Sequence, residues 1–328
     1  MTALPANLHA LAAIPDLILI PQAPLADYTR FGIGGPARLL CDTGNAEAFT
    51  GALRLVISAG LPHVVIGGGT NLIVSDEGFD GVVLRFTGTR IEHRDSLLSV
   101  EAGAVLQDVV DRSIALSLRG MESMTRIPGY LGAAIYGNAG AYGQSIQERV
   151  ERVYFTGGSR PSSFSNAECQ FRYRESIFKA NKNWIILRAD LRFSPGDTAE
   201  LAAREQSIRE TRDAKYPPTM KCAGSIFKNL FFADLPVAVQ SELPTNLVRE
   251  GKVPSAWFLE RTGAKGLRRG GITVAQYHAN LIYNEGQGTA AELVSVISEL
   301  KQRVADRFGF ELQEEVQYVG FKCPAASA

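Results

Sequence analysis

Two glycine-rich stretches carry the clearest chemical potential in this 328-residue chain. The first is Gly67-Gly68-Gly69-Thr70-Asn71; the second is IPGYLGAAIYGNAGAYG, residues 127–143. Consecutive small residues expose backbone N–H groups with no side chain in the way, and concave runs of such groups bind phosphate oxygens. Ordered glycine costs conformational entropy, so a cluster of it suits places where the main chain approaches something closely or turns where a Cβ would clash. Two such clusters could grip a diphosphate from two sides, although tight turns and close packing explain either one taken singly. The longer stretch reads as neither a good helix nor a good strand.

Other reactive side chains are less telling in isolation. FRYRESIFK, residues 171–179, alternates arginine with aromatic residues and by pattern alone is an exposed strand edge. Ser225, in CAGSIFKN, lacks a G-x-S-x-G elbow, and a serine after glycine is most often a turn or cap residue. Glu314 and Glu315 fit the solvent-facing end of a strand, and His278 sits among apolar residues, where a packed or surface histidine is usual. From residue types alone the chain binds a phosphate-bearing ligand.

Composition removes several classes. Lys+Arg and Asp+Glu both total 34, so the formal net charge is zero and the electrostatic footprint of a nucleic-acid binder is missing. Cys41, Cys169, Cys222 and Cys323 lie far apart with no C-x-x-C pair, so no metal site is expected. The N-terminus has no basic n-region, and Pro15, Asp16 and Pro21 interrupt its apolar run. Neither a signal peptide nor a membrane span is expected, which points to the cytoplasm.

The periodicities predict the elements that position these residues. Asn45 caps a helix carrying Phe49, Leu53, Val56 and Ile57 and ending at Gly60. Strands follow at His63–Ile66 and 72–74, then at 81–86 and 97–100; Leu106, Val109, Val110, Ile114 and Leu118 mark a helix ending at Gly120. Further strands are expected at 150–155 and 184–193, and a charged helix at 198–213 stops before Pro217 and Pro218. Near residue 218 the character shifts to short strands and loops. A helix at 289–308 then opens with a capping box of Thr289 and Glu292 and has Val294, Ile297, Leu300 and Val304 as its apolar face, before a last strand at 315–320.

Seven segments in order resemble one family: TRFGIGGPA, VIGGGTNLIV, IPGYLGAAIYGNAGAYG, FRYRESIFK, AGSIFKN, GLRRGGITVAQYHANLIYN and LQEEVQYVG. From about Tyr28 to Gly320 the chain resembles the flavoprotein UDP-N-acetylenolpyruvoylglucosamine reductase (MurB) family of bacterial cell-wall synthesis, in its shorter-loop branch. The resemblance implies an α+β fold, with a two-subdomain FAD-binding unit of the PCMH/vanillyl-alcohol-oxidase-like type and a smaller α+β substrate-binding domain. Its expected limits are 1–81 for the first FAD subdomain, 82–217 with 309–328 for the second, and 218–308 for the substrate domain. By the same analogy FAD is held by Gly67, Gly68, Gly69, Thr70 and Asn71 and by Pro128, Gly129, Gly132, Ala133, Asn138, Gly140, Ala141, Tyr142 and Gly143. Thr70 stands where related oxidases carry a flavin-linking histidine, so the FAD is expected to be noncovalent.

The implied activity is reduction of UDP-N-acetylglucosamine enolpyruvate to UDP-N-acetylmuramate, with NADPH as co-substrate, in peptidoglycan precursor synthesis. Hydride reaches C3 of the enolpyruvyl group, and negative charge then grows at C2 and on the carboxylate. Arg174 matches the family's carboxylate-binding arginine, Ser225 its proton donor and Glu315 the glutamate that assists. Arg174 and Glu315 are expected from the FAD unit and Ser225 from the substrate domain. Tyr173, Lys215, Asn229 and His278 match substrate-contacting positions. A monomer is expected. An FAD-dependent sugar or alcohol oxidase and a non-catalytic FAD or nucleotide-sugar binder are the competing readings; neither gives a reason to keep Arg174, Ser225 and Glu315 together.

Overall fold

The computed structural model describes residues 6–321. The chain forms two compact units: one takes in residues up to 23 together with 37–69 and 80–218, the other 24–36, 70–79 and 219 onward.

The first unit is built on two sheets. One has four strands in the order Ile18–Pro21, Ala37–Thr43, Phe79–Phe86, His63–Ile66, and its last two strands run parallel. The helix Ala46–Ser58 connects two of them. Asn45 starts it as expected, its Oδ1 accepting from the N–H groups of Glu47 at 2.9 Å and Ala48 at 3.2 Å. The other sheet is antiparallel, in the order Ser162–Ser165, Val150–Thr156, Ile185–Arg192, Leu97–Glu101, Ile91–Arg94. Alternation along these strands sends Leu98, Val100, Val153, Phe155, Ala189 and Leu191 into the core.

One predicted helix ends early. It spans Leu106–Ala115, and Leu118 belongs instead to a two-residue strand, Leu118–Arg119, paired with Ser194–Pro195. Ser117 at φ +56° breaks the helix, because a left-handed residue ends the i to i−4 ladder. The charged helix Thr198–Lys215 runs two residues past the expected end.

In the second unit an antiparallel sheet, ordered Lys221–Ser225, Leu281–Asn284, Ile272–Val274, Arg268–Arg269, is accompanied by the helix Ala290–Phe308. Leu293 and Val296 join Ile297, Leu300 and Val304 in burial, whereas Val294, expected on that face, is only half-buried. The unit also gathers two distant segments. The strand Gln317–Val319 pairs in parallel with Leu72–Val74. Within this compact unit 70–79 and the final strand fall together with 219–308.

Glycine permits a close approach in this unit. A Cβ on Gly35 would lie 2.2 Å from the Asp76 carbonyl oxygen, and one on Gly78 would lie 2.0 Å from that of Pro36. The TRFGIGGPA and VSDEG segments thus touch backbone to backbone. Asp76 is consequently aimed at the helix Ala290–Phe308, where Oδ1 accepts from Ala290 N–H at 2.8 Å and Oδ2 from Ala291 N–H at 2.9 Å. With the Thr289 and Glu292 capping box on the next donors, the first turn is satisfied throughout.

Buried thiols sit in both units; desolvation pushes those of Cys41 and Cys169 up to about 12. Among the described residues no cluster of histidine, cysteine or carboxylate side chains could hold a metal ion, and no helix is long and apolar enough to cross a membrane.

Asp76→Ala removes a carboxylate from the positive end of a 19-residue helix. It is expected to cost about 1 kcal/mol, read as a lower urea midpoint for the transition that reports the C-terminal unit.

Candidate active site

In the first unit the two glycine clusters meet. A Cβ added to Gly68 would lie 3.4 Å from Gly129 Cα, and one added to Gly67 would lie 3.6 Å from both Ala133 Cβ and the Tyr130 ring. Stretches far apart in sequence therefore form one backbone surface. Gly129 adopts φ +112°, which L side chains avoid, and Gly67, Gly68, Gly129 and Ala133 keep part of their surface open.

The second stretch departs from expectation by containing a helix, Leu131–Tyr136. Leu131, Ala134 and Ile135 fall on one face and are buried, and this packing outweighs weak intrinsic propensity. Its first N–H groups are engaged internally: Leu131 donates to the Ala104 carbonyl and Gly132 to that of Ala102, each at 2.9 Å. Gly132 therefore admits residue 102, since a Cβ there would lie 2.9 Å from Ala102 Cβ and 3.2 Å from its carbonyl oxygen. Pro128 and Ala133 are exposed on the same stretch.

Asn138 is 3% exposed and acts as a cross-link. Its Nδ2 donates to the Arg172 carbonyl at 2.8 Å and to Gln147 Oε1 at 3.0 Å. Beyond it Gly140–Ala141 pairs with Gln144–Ser145, and the two loop residues, Tyr142 at φ +52° and Gly143 at φ +78°, have the positive angles of a type I′ hairpin. Tyr142 projects from that tip, 53% exposed.

Arg174 is tied to this hairpin. Its Nη2 donates to the Gly140 carbonyl at 3.0 Å, and its guanidinium lies 5.2 Å from the Tyr173 ring centroid. Arg172 and Glu175 close a tight turn by reciprocal backbone bonds of 3.0 and 3.1 Å, leaving Arg174 at φ +58° in its third position. That position favours glycine or asparagine, and a residue with a larger side chain there costs about 1–2 kcal/mol. Strain of this kind gathers at functional sites. Lys215 ends the helix Thr198–Lys215, its ammonium 5.2 Å from the Tyr216 ring centroid. Burial, followed by the Glu175 charge, holds the Tyr136 phenol above its ordinary range.

In the second unit Ser225 ends the strand Lys221–Ser225 just after a register shift against Leu281–Asn284, with Gly224 at φ +76°. A bulge re-aims the residue that follows it. Ile226 then donates to the Asn280 carbonyl at 3.1 Å, and its own carbonyl accepts from Glu315 N–H at 2.7 Å. The fold thus sets Glu315 against the residue following Ser225, within one compact unit. Asn71 holds the other side, its Nδ2 donating to the Glu315 carbonyl at 2.9 Å.

The neighbouring carboxylate is engaged otherwise. Glu314 receives the Lys301 ammonium at 3.1 Å and the Tyr318 hydroxyl, whose acidity is suppressed by burial and by that carboxylate. Asn229, an exposed residue, accepts from Ser255 N–H at 3.4 Å through Oδ1. His278 lies in a turn, its N–H directed to the Ala275 carbonyl at 3.4 Å.

Sequence reasoning passed over Asn280, two residues from His278. Only 2% exposed, it accepts from Phe227 N–H at 2.9 Å and donates to the Phe227 carbonyl at 2.9 Å and Ser255 Oγ at 2.7 Å. It fixes the segment after Ser225 as a neighbouring strand would. A lone asparagine inside the apolar run ANLIY was the available signal.

The open glycine surface fits a pyrophosphate, and residues 38–156, which contain it, match the family described as an FAD binding domain. The class is that of FAD-dependent oxidoreductases on a mixed α+β fold whose FAD-binding part is of the PCMH type. Residues 216–319 match a second family, UDP-N-acetylenolpyruvoylglucosamine reductase, C-terminal domain. A UDP-N-acetylenolpyruvoylglucosamine reductase from Solibacter usitatus is 54% identical over 310 residues, spanning 94% of this chain and 99% of the relative. One from Carboxydothermus hydrogenoformans is 33% identical over 306 residues, spanning 92% and 94%. The crystal structure of the enzyme from Thermus caldophilus superposes with a TM-score of 0.71 at 27% identity, covering 92% of this chain and 98% of that one. The chain belongs to the UDP-N-acetylenolpyruvoylglucosamine reductase family.

Gly129→Ala places a Cβ on a positive-φ residue beside Gly68. A loss of FAD affinity of at least about tenfold is expected, measured by titrating apoprotein with FAD and following flavin fluorescence, while far-UV circular dichroism stays that of the parent.

Proposed function

We propose that this chain reduces the enolpyruvyl ether of UDP-N-acetylglucosamine enolpyruvate to UDP-N-acetylmuramate, a step in peptidoglycan precursor synthesis. Family membership across nearly the whole chain supports the reaction, and the bond from Glu315 N–H to the Ile226 carbonyl carries the assignment of its acid. That bond joins a hydroxyl-bearing and a carboxylate-bearing segment.

Bound FAD would supply the hydride chemistry between NADPH and the substrate double bond. The Gly67, Gly68 and Gly129 surface receives the pyrophosphate through main-chain N–H groups, as a noncovalent site. Arg174 receives the substrate carboxylate; a guanidinium presents five donors in a plane, and the Gly140 carbonyl fixes its pose by taking one. As hydride arrives at C3, electron density moves toward C2 and that carboxylate, and a fixed cation lowers the energy of the developing charge. Ser225 gives its hydroxyl proton to C2. A hydroxyl is a weak acid, yet an enolate-like carbon is basic enough to take its proton. Glu315 assists by hydrogen-bonding the serine and helping restore its proton. Tyr173, Lys215, Asn229 and His278 contact the sugar nucleotide.

The reactants carry phosphates that do not cross a bilayer unaided, which favours a cytoplasmic enzyme. It acts as a monomer, and sedimentation of the holoenzyme is expected to show one species with the mass of a single chain.

Anaerobic reduction by NADPH is expected to bleach the flavin, and UDP-N-acetylglucosamine enolpyruvate to restore its colour. Restoration by oxygen alone would instead assign an oxidase. In Ser225→Ala, bleaching by NADPH is expected to proceed as in the parent while recovery with substrate slows by about 10²–10⁴-fold. Recovery at the parental rate would remove Ser225 from the acid role.

A further inference from the structure

We propose that Lys179 is a positioning residue for Arg174: its ammonium locks the left-handed turn that aims the guanidinium. The inference rests on the reading of Arg174 as the group that takes the substrate's carboxylate.

The turn is strained where it matters. Arg174 occupies φ +58° at a position that glycine would fill without cost, so the surrounding structure must over-determine it. Three attachments do so. At the start, Asn138 Nδ2 holds the Arg172 carbonyl at 2.8 Å. At the tip, the guanidinium reaches the Gly140 carbonyl at 3.0 Å. At the end, Lys179 Nζ donates to the Arg174 carbonyl at 2.8 Å and to Glu175 Oε1 at 3.0 Å.

The last attachment differs in kind. It falls on the carbonyl of the strained residue itself, the group whose direction changes when a left-handed residue relaxes to a right-handed or extended one. It is charge-assisted, so it is stronger than a bond between neutral groups. The Lys179 side chain is only 16% exposed, so water competes poorly for its ammonium. Its origin is fixed as well, because the short helix Ile177–Ala180 that presents it is anchored by Ser176 Oγ donating to the Tyr136 carbonyl at 2.7 Å. A lysine needed only for solubility would gain nothing from these constraints.

A positioning role predicts coupling. When Lys179 acts through Arg174, removing it matters only while Arg174 is present; when it acts on the substrate anion by its own charge, it matters in either background. The experiment compares holoenzyme with Lys179→Met, Arg174→Met and the double variant. The readouts are kcat/KM for UDP-N-acetylglucosamine enolpyruvate per bound flavin and the melting temperature. Lys179→Met is expected to lower kcat/KM by about tenfold or more in the parent and by less than about twofold beside Arg174→Met. Lys179→Arg, which keeps a cation at that place, is expected to recover most of the loss. Additive losses, or a Lys179→Met enzyme that binds less flavin but turns over normally per flavin, would overturn the inference and leave the reading of Arg174 standing. A parental kcat/KM in Arg174→Met would overturn both. If Lys179→Met fails to fold, Lys179→Gln takes its place in the same cycle, with the same outcomes deciding.

Discussion

One carboxamide sets the geometry of the C-terminal unit. Asn71 donates from side-chain Nδ2 to the Glu315 carbonyl 244 residues away, and its main-chain carbonyl accepts from Gln317 N–H at 2.9 Å, so a side-chain and a backbone bond join the two segments. Everything downstream follows from that register. The parallel pairing begins at the next residue, Leu72 with Gln317, and runs to Val74 with Val319. Only with the strand so placed can Asp76 reach the helix Ala290–Phe308, and only with Glu315 so placed can its N–H meet the Ile226 carbonyl. A partly buried backbone carbonyl left without a donor would cost about 1–3 kcal/mol, so Asn71 is held to this task by the same bond that makes it useful.

The two units fix the side chains proposed to act on substrate by different means. Ser225 is placed by sheet geometry: a bulge, a left-handed glycine and then a segment pinned on one side by Asn280 and on the other by Glu315. Arg174 is placed by side chains that grip carbonyls around a strained turn. Each solution suits its chemistry. A hydroxyl needs only a direction, which backbone pairing provides, whereas a guanidinium on a long flexible stem needs several constraints before its plane is fixed.

Much of this was legible in the sequence because the local signals were strong. The Asn45 cap, the Thr289 and Glu292 capping box, the strand His63–Ile66 and the glycine loop after it were all readable from residues next to one another. Legibility failed where long-range packing decided the outcome. The helix Leu131–Tyr136 exists because three side chains find a core, and nothing in a run of glycine and alanine announces that core. Asn280, Asp76 and Lys179 act on backbone groups far away in sequence or around a turn, and a side chain's reach across a fold leaves no periodicity. Glu314 and Glu315 look alike as neighbours; Lys301 and Tyr318 engage the first, while Ile226 and Asn71 hold the backbone of the second. The resemblance to a family named the reactive residues, while the physical reading alone stopped at a phosphate-binding backbone.

The strand Gln317–Val319 also governs when the protein can finish folding during its synthesis. Chains emerge from the ribosome N-terminus first, at about 5–20 residues per second. Leu72–Val74 is therefore exposed for tens of seconds before its partner exists, as is the segment 24–36 that packs beside it. The strands of the first unit can pair as soon as Pro218 has emerged, but the second unit must wait for its final strand. A three-residue apolar strand with an open edge is short enough to stay soluble through that wait. The contact between Glu315 and the residue following Ser225 therefore forms only after the last strand of this unit has emerged.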